Sequence, residues 1–316
     1  MNKWILCLLY VVSVMKVIAQ PYAPSADDKG TTALFKDSAV FITWASSAIV
    51  ERGAMDISNP SLGLVTFGEV DDVIGKADGR VISLGDKGAV TLRFENPISD
   101  GDGADFAVFE NSFNNTFLEL AFVEVSSDGK NFVRFPSTSL SQNSVQFGND
   151  AFMDPTQLNN LAGKYRGAYG TPFDLNDLKD STGIDLENIT HIKLIDVVGS
   201  VDPKFGSRDI HNNLINDPYP TPYPSGGFDL DAVGVIHSNV LSTIELPSTF
   251  LLYPNPTTDF IFLQINKSAE VDLFNVTGQL LENKTIDYKG FLDLSTHPQG
   301  TYYLRFANNF IKITRL

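Results

Sequence analysis

A regular succession of short apolar segments, separated by turn residues, restricts the fold of this chain more than any other feature. Between residues 80 and 135 such segments occupy 80–84, 89–94, 106–109, 117–125 and 131–135. Segments of this length, rich in Val, Leu and Phe and bounded by Gly, Asp, Asn and Pro, are typical of strands, and their close spacing favours antiparallel pairing. Apolar residues on both faces indicate the interior of a sandwich. We therefore predict a mostly β fold, built as an antiparallel jelly-roll-like β-sandwich.

The middle of the chain interrupts this strand pattern. Residues 154–161 and 174–179 each begin with an aspartate followed by residues compatible with a helix, which indicates short helical insertions. Strand patterns return at 191–198 and 228–236, on either side of a loop over 199–227 that is rich in Pro, Asn and Tyr. We expect the last of these strands to close the domain.

The charge of the chain limits its partners. The 316 residues carry a formal net charge of −15. Such a surface repels phosphate backbones and anionic lipid headgroups, so we expect an attraction for cations and no nucleic-acid partner. The hydrophobic fraction of 43% is large enough for a sizeable core and is not that of a disordered or fibrous chain.

The N-terminal segment is typical of an exported protein. Residues 1–19 combine an early Lys3 with an apolar run that ends at Ala19, a signal-peptide pattern too short for a membrane span. Cleavage there removes Cys7, the one cysteine of the chain, so we expect no disulfide and no thiolate metal site. We also expect no transmembrane span in the mature protein. The remaining pattern predicts a sandwich domain over 20–237, a polar linker over 238–250 and a small C-terminal β-sandwich over 251–316.

The C-terminal segment carries four motifs in order. They are Tyr253-Pro-Asn-Pro, Phe274-Asn-Val-Thr-Gly-Gln, Gly300-Thr-Tyr-Tyr and the basic, apolar end 311–316. In these motifs the segment resembles the C-terminal sorting domain of type IX secretion substrates in Bacteroidota. The resemblance implies contact with the type IX secretion machinery, passage through the outer membrane, removal of the tail, and attachment to the cell surface or release.

Two stretches of the main domain carry a second resemblance. In Val81–Asn111 and Gly226–Val233 the domain resembles a family of secreted or cell-surface bacterial proteins of unassigned activity. The hairpin over 123–132 is also similar to those of jelly-roll, discoidin-like binding domains. These resemblances imply a sandwich like that of a carbohydrate-binding module, displayed outside the cell, and they bring no catalytic residue with them.

Aspartates cluster in the turn that leads into the strand at 106–109. Asp100, Asp102 and Asp105 are spaced by glycine and alanine, and the strand runs on to Glu110. Several carboxylate oxygens turned towards one point are what calcium prefers. The spacing is not that of an EF-hand loop, because the twelfth position is Asn111 rather than glutamate. A plain turn, in which Asp and Gly supply the backbone geometry, is the alternative.

A second acidic pair favours the metal hypothesis. Asp229 and Asp231 are two residues apart on a predicted strand, so both side chains are expected on one face. If that face is buried, the carboxylates need a cation, an ion pair or hydrogen-bond donors. We therefore predict a calcium site shared by the turn and the last strand, with salt bridges or an exposed edge as the alternatives. Its ligands would be Asp100, Asp102, Asp105, Glu110, Asp229 and Asp231.

Sequence motifs for catalysis are sparse. Glu110, Glu119 and Glu124 offer a pair of carboxylates for glycoside hydrolysis, although strand-end glutamates that face water are the simpler interpretation. The four histidines lack metal-ligand spacing, which disfavours zinc. The sequence contains no Gly-x-Ser-x-Gly nucleophile elbow and no phosphate-binding Gly-Lys-Ser/Thr loop.

The long loop offers the better binding residues. Tyr219, Tyr223 and Phe228 lie among or just after four prolines that stiffen the backbone, so they are candidates for stacking on a sugar ring or another flat ligand. Aromatic side chains packed down to anchor the loop are the alternative.

We therefore predict a secreted or cell-surface, non-catalytic binding protein exported by type IX secretion. Its expected ligand is a glycan or small nutrient, and its expected cofactor is structural calcium. The alternatives are a secreted glycan-active hydrolase that uses paired glutamates, an adhesin, and a surface protein that captures a corrinoid.

Overall fold

The computed structural model describes residues 22–239, 251–265, 268–306 and 309–316. The predicted signal peptide over 1–19, and the predicted linker apart from Ser238 and Asn239, lie outside these residues. The chain divides into two compact units, one up to residue 240 and one after it. Strands account for 38% of the structure and helices for 5%, so the prediction of a mostly β fold is confirmed. Among the described residues, no helix has the length and hydropathy needed to cross a bilayer.

The first unit contains two antiparallel sheets. Its strands are β1 (Leu34–Phe35), β2 (Thr43–Trp44), β3 (Ser47–Glu51), β4 (Ile82–Ser83), β5 (Ala89–Ile98), β6 (Phe106–Glu110), β7 (Ala121–Ser126), β8 (Val133–Arg134), β9 (Thr138–Ser139), β10 (Leu158–Asn159), β11 (Tyr169–Phe173), β12 (Ile189–Asp196) and β13 (Asp229–Val235). One sheet has the order β1-β11-β6-β13-β2, with β4 also paired to β13, and the other has the order β3-β5-β12-β7-β8. Strands β9 and β10 form a separate ribbon. Short 3-10 helices cover Pro60–Leu62, Val70–Val73, Pro155–Gln157 and Leu175–Leu178.

Alternate side chains from both sheets fill one core. Phe106 and Val108 of β6 belong to it, as do Ile192 and Leu194 of β12 in the other sheet. Phe106 stacks on Phe173 of β11 with ring centroids 5.3 Å apart. Because burying one such side chain stabilises the fold by about 1.5–3 kcal/mol, this shared core holds the two sheets face to face as a sandwich.

A bulge in β13 sets which of its residues face the core. The register with β6 shifts between Leu230 and Ala232, which leaves Asp231 as the extra residue. Leu230 and Val233 therefore both belong to the core, although they are an odd number of residues apart. The carboxylate of Asp231 accepts hydrogen bonds from the backbone amides of Asp78 at 3.0 Å and Gly79 at 3.2 Å. The bulge thus gives Asp231 backbone donors of its own.

The second unit is a smaller pair of sheets. Its strands are β14 (Leu251–Tyr253), β15 (Phe260–Gln264), β16 (Ala269–Asn275), β17 (Leu280–Ile286), β18 (Lys289–Asp293), β19 (Gly300–Phe306) and β20 (Asn309–Arg315). The sheets have the orders β14-β15-β18 and β17-β16-β19-β20. Ile261, Leu292 and Leu304 are among the buried residues that the two sheets share.

Candidate acidic site

Carboxylates replace apolar side chains at one end of the sandwich core. In β6 and β12 the alternation that buries Val108 and Leu194 continues to the last residues, Glu110 and Asp196. Glu110 is 1% exposed and Asp196 is 2% exposed. Glu119 precedes β7 in the same alternation as Ala121, which also faces this core. The two sheets therefore bring acidic side chains together where their apolar rows end.

A cavity of about 300 Å³ opens at this end of the first unit. Glu110, Glu119 and Asp229 line it, and we call it the acidic cavity. Its other lining residues are Asn111, Ser112, Phe113, Phe117, Asn149, Thr221, Tyr223, Ser225 and Gly226. Three carboxylates thus share one small space with amide and hydroxyl groups.

The hydrogen bonds of the acidic cavity are incomplete. Glu110 Oε2 accepts a hydrogen bond from the Ser112 amide at 2.8 Å. Glu110 Oε1 is buried and has no hydrogen-bond partner within the described parts of the chain. Asp229 accepts a hydrogen bond from the Ser83 hydroxyl. A buried carboxylate oxygen without a donor is costly, so the Glu110 side chain needs a proton or a cation.

Burial and mutual repulsion raise the pKa values of these carboxyls. Burial is the main cause for Glu110 and Glu119, whose pKa values lie well above their usual range, and each is raised further by the charges of neighbouring carboxylates. Burial also raises the pKa of Asp229 from 3.8 to about 6, while Arg52 acts in the opposite direction. Because a bound cation neutralises the same charges, it would stabilise all three groups in their ionised form.

A close backbone contact fixes the position of Glu119. Gly163 has a φ of +83°, and a Cβ atom there would lie 1.8 Å from the Glu119 carbonyl oxygen. Next to it, Ala121 and Ala162 exchange backbone hydrogen bonds of 2.9 and 3.1 Å. Glycine is therefore required at position 163, and Glu119 is presented by a firmly held segment.

The predicted calcium residues fall at opposite ends of β6. Glu110 pairs with Leu230 at one end, and Phe106 pairs with Val235 at the other. Asp105 precedes Phe106, so it lies roughly 16 Å along the strand from Glu110. The structure therefore does not bring the turn together with Glu110, Asp229 and Asp231.

The turn forms its own acidic group with a residue that the sequence did not suggest. Asp100, Asp105 and Asp174 each place a carboxylate oxygen within 4.8 Å of the others. The exposed Asp102 lines a cavity with Asp100 and Asp174. Asp174 begins a helical insertion far away in sequence, which is why the spacing of the turn gave no sign of it. Cation binding by Asp100, Asp102 and Asp105 stays a prediction.

One of the three predicted loop aromatics reaches the acidic cavity. Tyr223 is 53% exposed and lines it. Tyr219 is buried, and its hydroxyl donates to Asp56 at 3.0 Å. Phe228 is 0% exposed and belongs to the sandwich core. The rings of Tyr219 and Phe228 therefore point into the protein and anchor the loop.

Glu124, the third glutamate of the predicted catalytic set, lies outside the acidic cavity. It pairs with Arg134 across β7 and β8 at 2.8 Å; the arginine side chain is 42% exposed and the glutamate side chain 15%. Exposed ion pairs contribute about 0–1 kcal/mol. We therefore expect Glu124→Gln to change the free energy of unfolding by less than about 1 kcal/mol, measured by urea denaturation. A loss above about 2 kcal/mol would contradict the assignment of this pair to the surface.

Comparisons with known proteins bear on the C-terminal unit. Residues 251–315 match the family described as Secretion system C-terminal sorting domain. No curated protein matches the chain. Solved structures similar to it include a β-glucuronidase of Parabacteroides merdae, at 9% identity over 86% of this chain and 35% of that one, with a TM-score of 0.21. A Ruminococcus gnavus β-glucuronidase in complex with uronic isofagomine has 9% identity over 94% of this chain and 47% of that one, with a TM-score of 0.21.

The chain spans less than half the length of these two enzymes. At TM-scores this low, the likeness carries no argument about fold or activity. The sorting-domain match is different in kind, because it covers nearly the whole C-terminal unit. That match indicates that the chain is a substrate exported by type IX secretion.

Proposed function

We propose that the protein is an exported, non-catalytic binding protein that holds calcium in the acidic cavity and binds a glycan or small nutrient beside it. The observation that carries the proposal is the buried, unpartnered Oε1 of Glu110 in a cavity that Glu119 and Asp229 also line. Calcium takes 6–8 oxygen ligands. Three carboxylates supply charge, and the side chains of Asn111 and Thr221 add neutral oxygen atoms to the same cavity.

A calcium ion held in this way can also bind a ligand. The acidic cavity is open, so protein atoms need not fill the whole coordination shell, and hydroxyl groups of a ligand can take the remaining positions. Tyr223 lies at the same cavity and provides a flat apolar surface. Cation and aromatic ring together favour a ligand that carries both hydroxyl groups and an apolar face.

Calcium is expected to raise the midpoint of thermal unfolding more at pH 8 than at pH 5. A carboxyl whose pKa is raised by folding binds protons more tightly in the folded state, so calcium-free stability falls as the pH rises from about 4 through the folded pKa values. For Asp229, with a folded pKa of about 6, complete ionisation costs roughly 3 kcal/mol at about 1.4 kcal/mol per pKa unit. Calcium replaces the lost protons and offsets this cost.

The measurement is a thermal melt of the full chain with calcium or with chelator at both pH values. Trp44 fluorescence follows the first unit, because Trp44 is the one tryptophan that remains after cleavage of the predicted signal peptide with Trp4. Glu124→Gln serves as a control and should show the same calcium response as the wild type. Equal midpoints of thermal unfolding with and without calcium at pH 8 would contradict the proposal.

A glycan-active hydrolase is the second candidate, since Glu110 and Glu119 share a cavity and both have raised pKa values, as a general acid requires. Incubation with a set of nitrophenyl glycosides tests it. Hydrolysis that persists in chelator and disappears in Glu110→Gln would favour the hydrolase over the binding protein. The binding proposal predicts no turnover.

A further inference from the structure

A second cavity adjoins the acidic cavity and is walled by phenylalanines. Phe113 is 89% exposed and Phe152 is 82% exposed, which makes them the two most exposed large apolar side chains among the described residues. Both line this cavity of about 370 Å³, which we call the aromatic cavity. Phe113, Phe117 and Asn149 line the acidic cavity as well. The two cavities are therefore parts of one continuous groove.

The exposure of these two phenylalanine rings at one site indicates a ligand-binding surface. Burying a phenylalanine side chain stabilises a fold by about 1.5–3 kcal/mol. Phe113 and Phe152 stay exposed in one cavity, so the folded protein gains this stabilisation from neither of them. Single exposed apolar residues are common on protein surfaces, but apolar residues gathered at one concave site mark ligand grooves. The groove thus combines an aromatic wall with the carboxylates of the acidic cavity.

The backbone that carries the two rings is held in place. Asn114 Oδ1 accepts hydrogen bonds from the amides of Thr116 and Phe117, both at 2.8 Å. The amide of Met153 donates to the Thr116 carbonyl at 2.8 Å, which joins the loop of Phe113 to the loop of Phe152. Met153 itself is buried at 3% exposure. These hydrogen bonds restrain both loops, which lowers the conformational entropy that binding would cost.

We propose that this groove binds an oligosaccharide, with one sugar ring stacked on Phe113 and Phe152 and a neighbouring ring bound to the cation of the acidic cavity. The inference rests on the proposed function, because it uses the same calcium ion. A sugar ring has an apolar face that packs on aromatic rings and a rim of hydroxyl groups. Polar side chains that can meet such a rim line the aromatic cavity, namely Asn114, Thr116, Asn149 and Asp150.

Other ligand classes fit the groove less well. A purely apolar ligand would displace water from the polar side chains of the aromatic cavity without replacing the hydrogen bonds that water makes. An anionic ligand would meet the carboxylates of the acidic cavity in a chain of net charge −15. A neutral oligosaccharide meets neither difficulty, because its hydroxyl groups bind both calcium and the amide side chains.

The test begins with the full chain in calcium on a printed array of plant, algal and animal glycans. The strongest binder is then titrated by calorimetry into wild-type protein and the variants Phe113→Ala and Phe152→Ala. We expect each variant to weaken glycan binding by about tenfold or more, which equals about 1.4 kcal/mol. Phe152→Ala should keep the wild-type thermal response to calcium, because Phe152 lines the aromatic cavity and not the acidic cavity.

Phe35→Ala is the matched control. Phe35 is 44% exposed, packs on Tyr169 with ring centroids 5.4 Å apart, and lines neither cavity. It should bind the glycan with wild-type affinity. Wild-type affinity in Phe113→Ala and Phe152→Ala, or an array without any bound glycan, would overturn this inference while calcium binding still stood. A chain that fails to respond to calcium would instead overturn the proposed function.

Discussion

Glu119→Gln is expected to stabilise the calcium-free protein and to remove most of the stabilisation that calcium gives. Without calcium, the substitution removes the ionisable group of the half-buried Glu119, whose pKa is raised by burial and then by the charges of Glu110 and Asp229. We expect a gain of roughly 1–3 kcal/mol in the free energy of unfolding at pH 8, since uncompensated buried charge costs about that much. At calcium concentrations 100 times the dissociation constant, the wild type gains about 2.7 kcal/mol. The variant should gain less than about 1 kcal/mol at the same concentration.

Calcium therefore shifts the stability of Glu119→Gln relative to the wild type by at least about 1.7 kcal/mol in favour of the wild type. Urea denaturation followed by Trp44 fluorescence, in chelator and in calcium, measures both values on the same protein. Glu124→Gln removes the same charge from a partly exposed ion pair outside the acidic cavity and should follow the wild type in both conditions. If Glu119→Gln destabilises the protein equally in both conditions, the Glu119 carboxylate makes a structural contact and does not bind a cation.

The sandwich could be predicted from sequence because its signals are local. Runs such as 89–94 and 117–125 place apolar residues on both faces between turn residues, and the structure contains β5 and β7 there. The starts of the helical insertions also follow from local signals, since Asp154 and Asp174 each accept a hydrogen bond from the backbone amide two residues later. The first insertion is shorter than the predicted 154–161, because Leu158–Asn159 form β10. The bulge at Asp231 has no comparable signal, because it arises from the pairing of β13 with β6.

The site was predicted less well because it depends on which strand ends meet. Glu110 and Asp229 were expected to bind a cation, and both line the acidic cavity. The sequence grouped them with Asp105 because the turn is adjacent to Glu110 in sequence, whereas β6 separates the two by its full length. Glu119 did have a signal. It stands two residues before Ala121, so a carboxylate falls into the row of alternating residues that face the sandwich core.

Asp105→Asn is expected to cost about 3–5 kcal/mol of unfolding free energy, with or without calcium. Asp105 is 0% exposed, and its carboxylate accepts hydrogen bonds from the amides of Gly101 at 2.8 Å and Leu175 at 2.7 Å and bonds to the His237 ring at 2.8 Å. Asparagine keeps one acceptor oxygen and turns an NH₂ group towards a donor, so at least one buried amide loses its partner. Breaking a buried, charge-assisted network costs about this much.

Urea denaturation of Asp105→Asn and of Asp102→Asn, an exposed neighbour in the same turn, measures the effect. Asp102→Asn should change the free energy of unfolding by less than about 0.5 kcal/mol. A large loss of unfolding free energy in Asp105→Asn, while chelator leaves that of the wild type unchanged, would mean that hydrogen bonds, and not a cation, hold the turn against the loop at Leu175. If Asp105→Asn costs less than about 1 kcal/mol in chelator and several kcal/mol in calcium, Asp105 is a calcium ligand, and the turn with Asp100 and Asp174 is a second cation site.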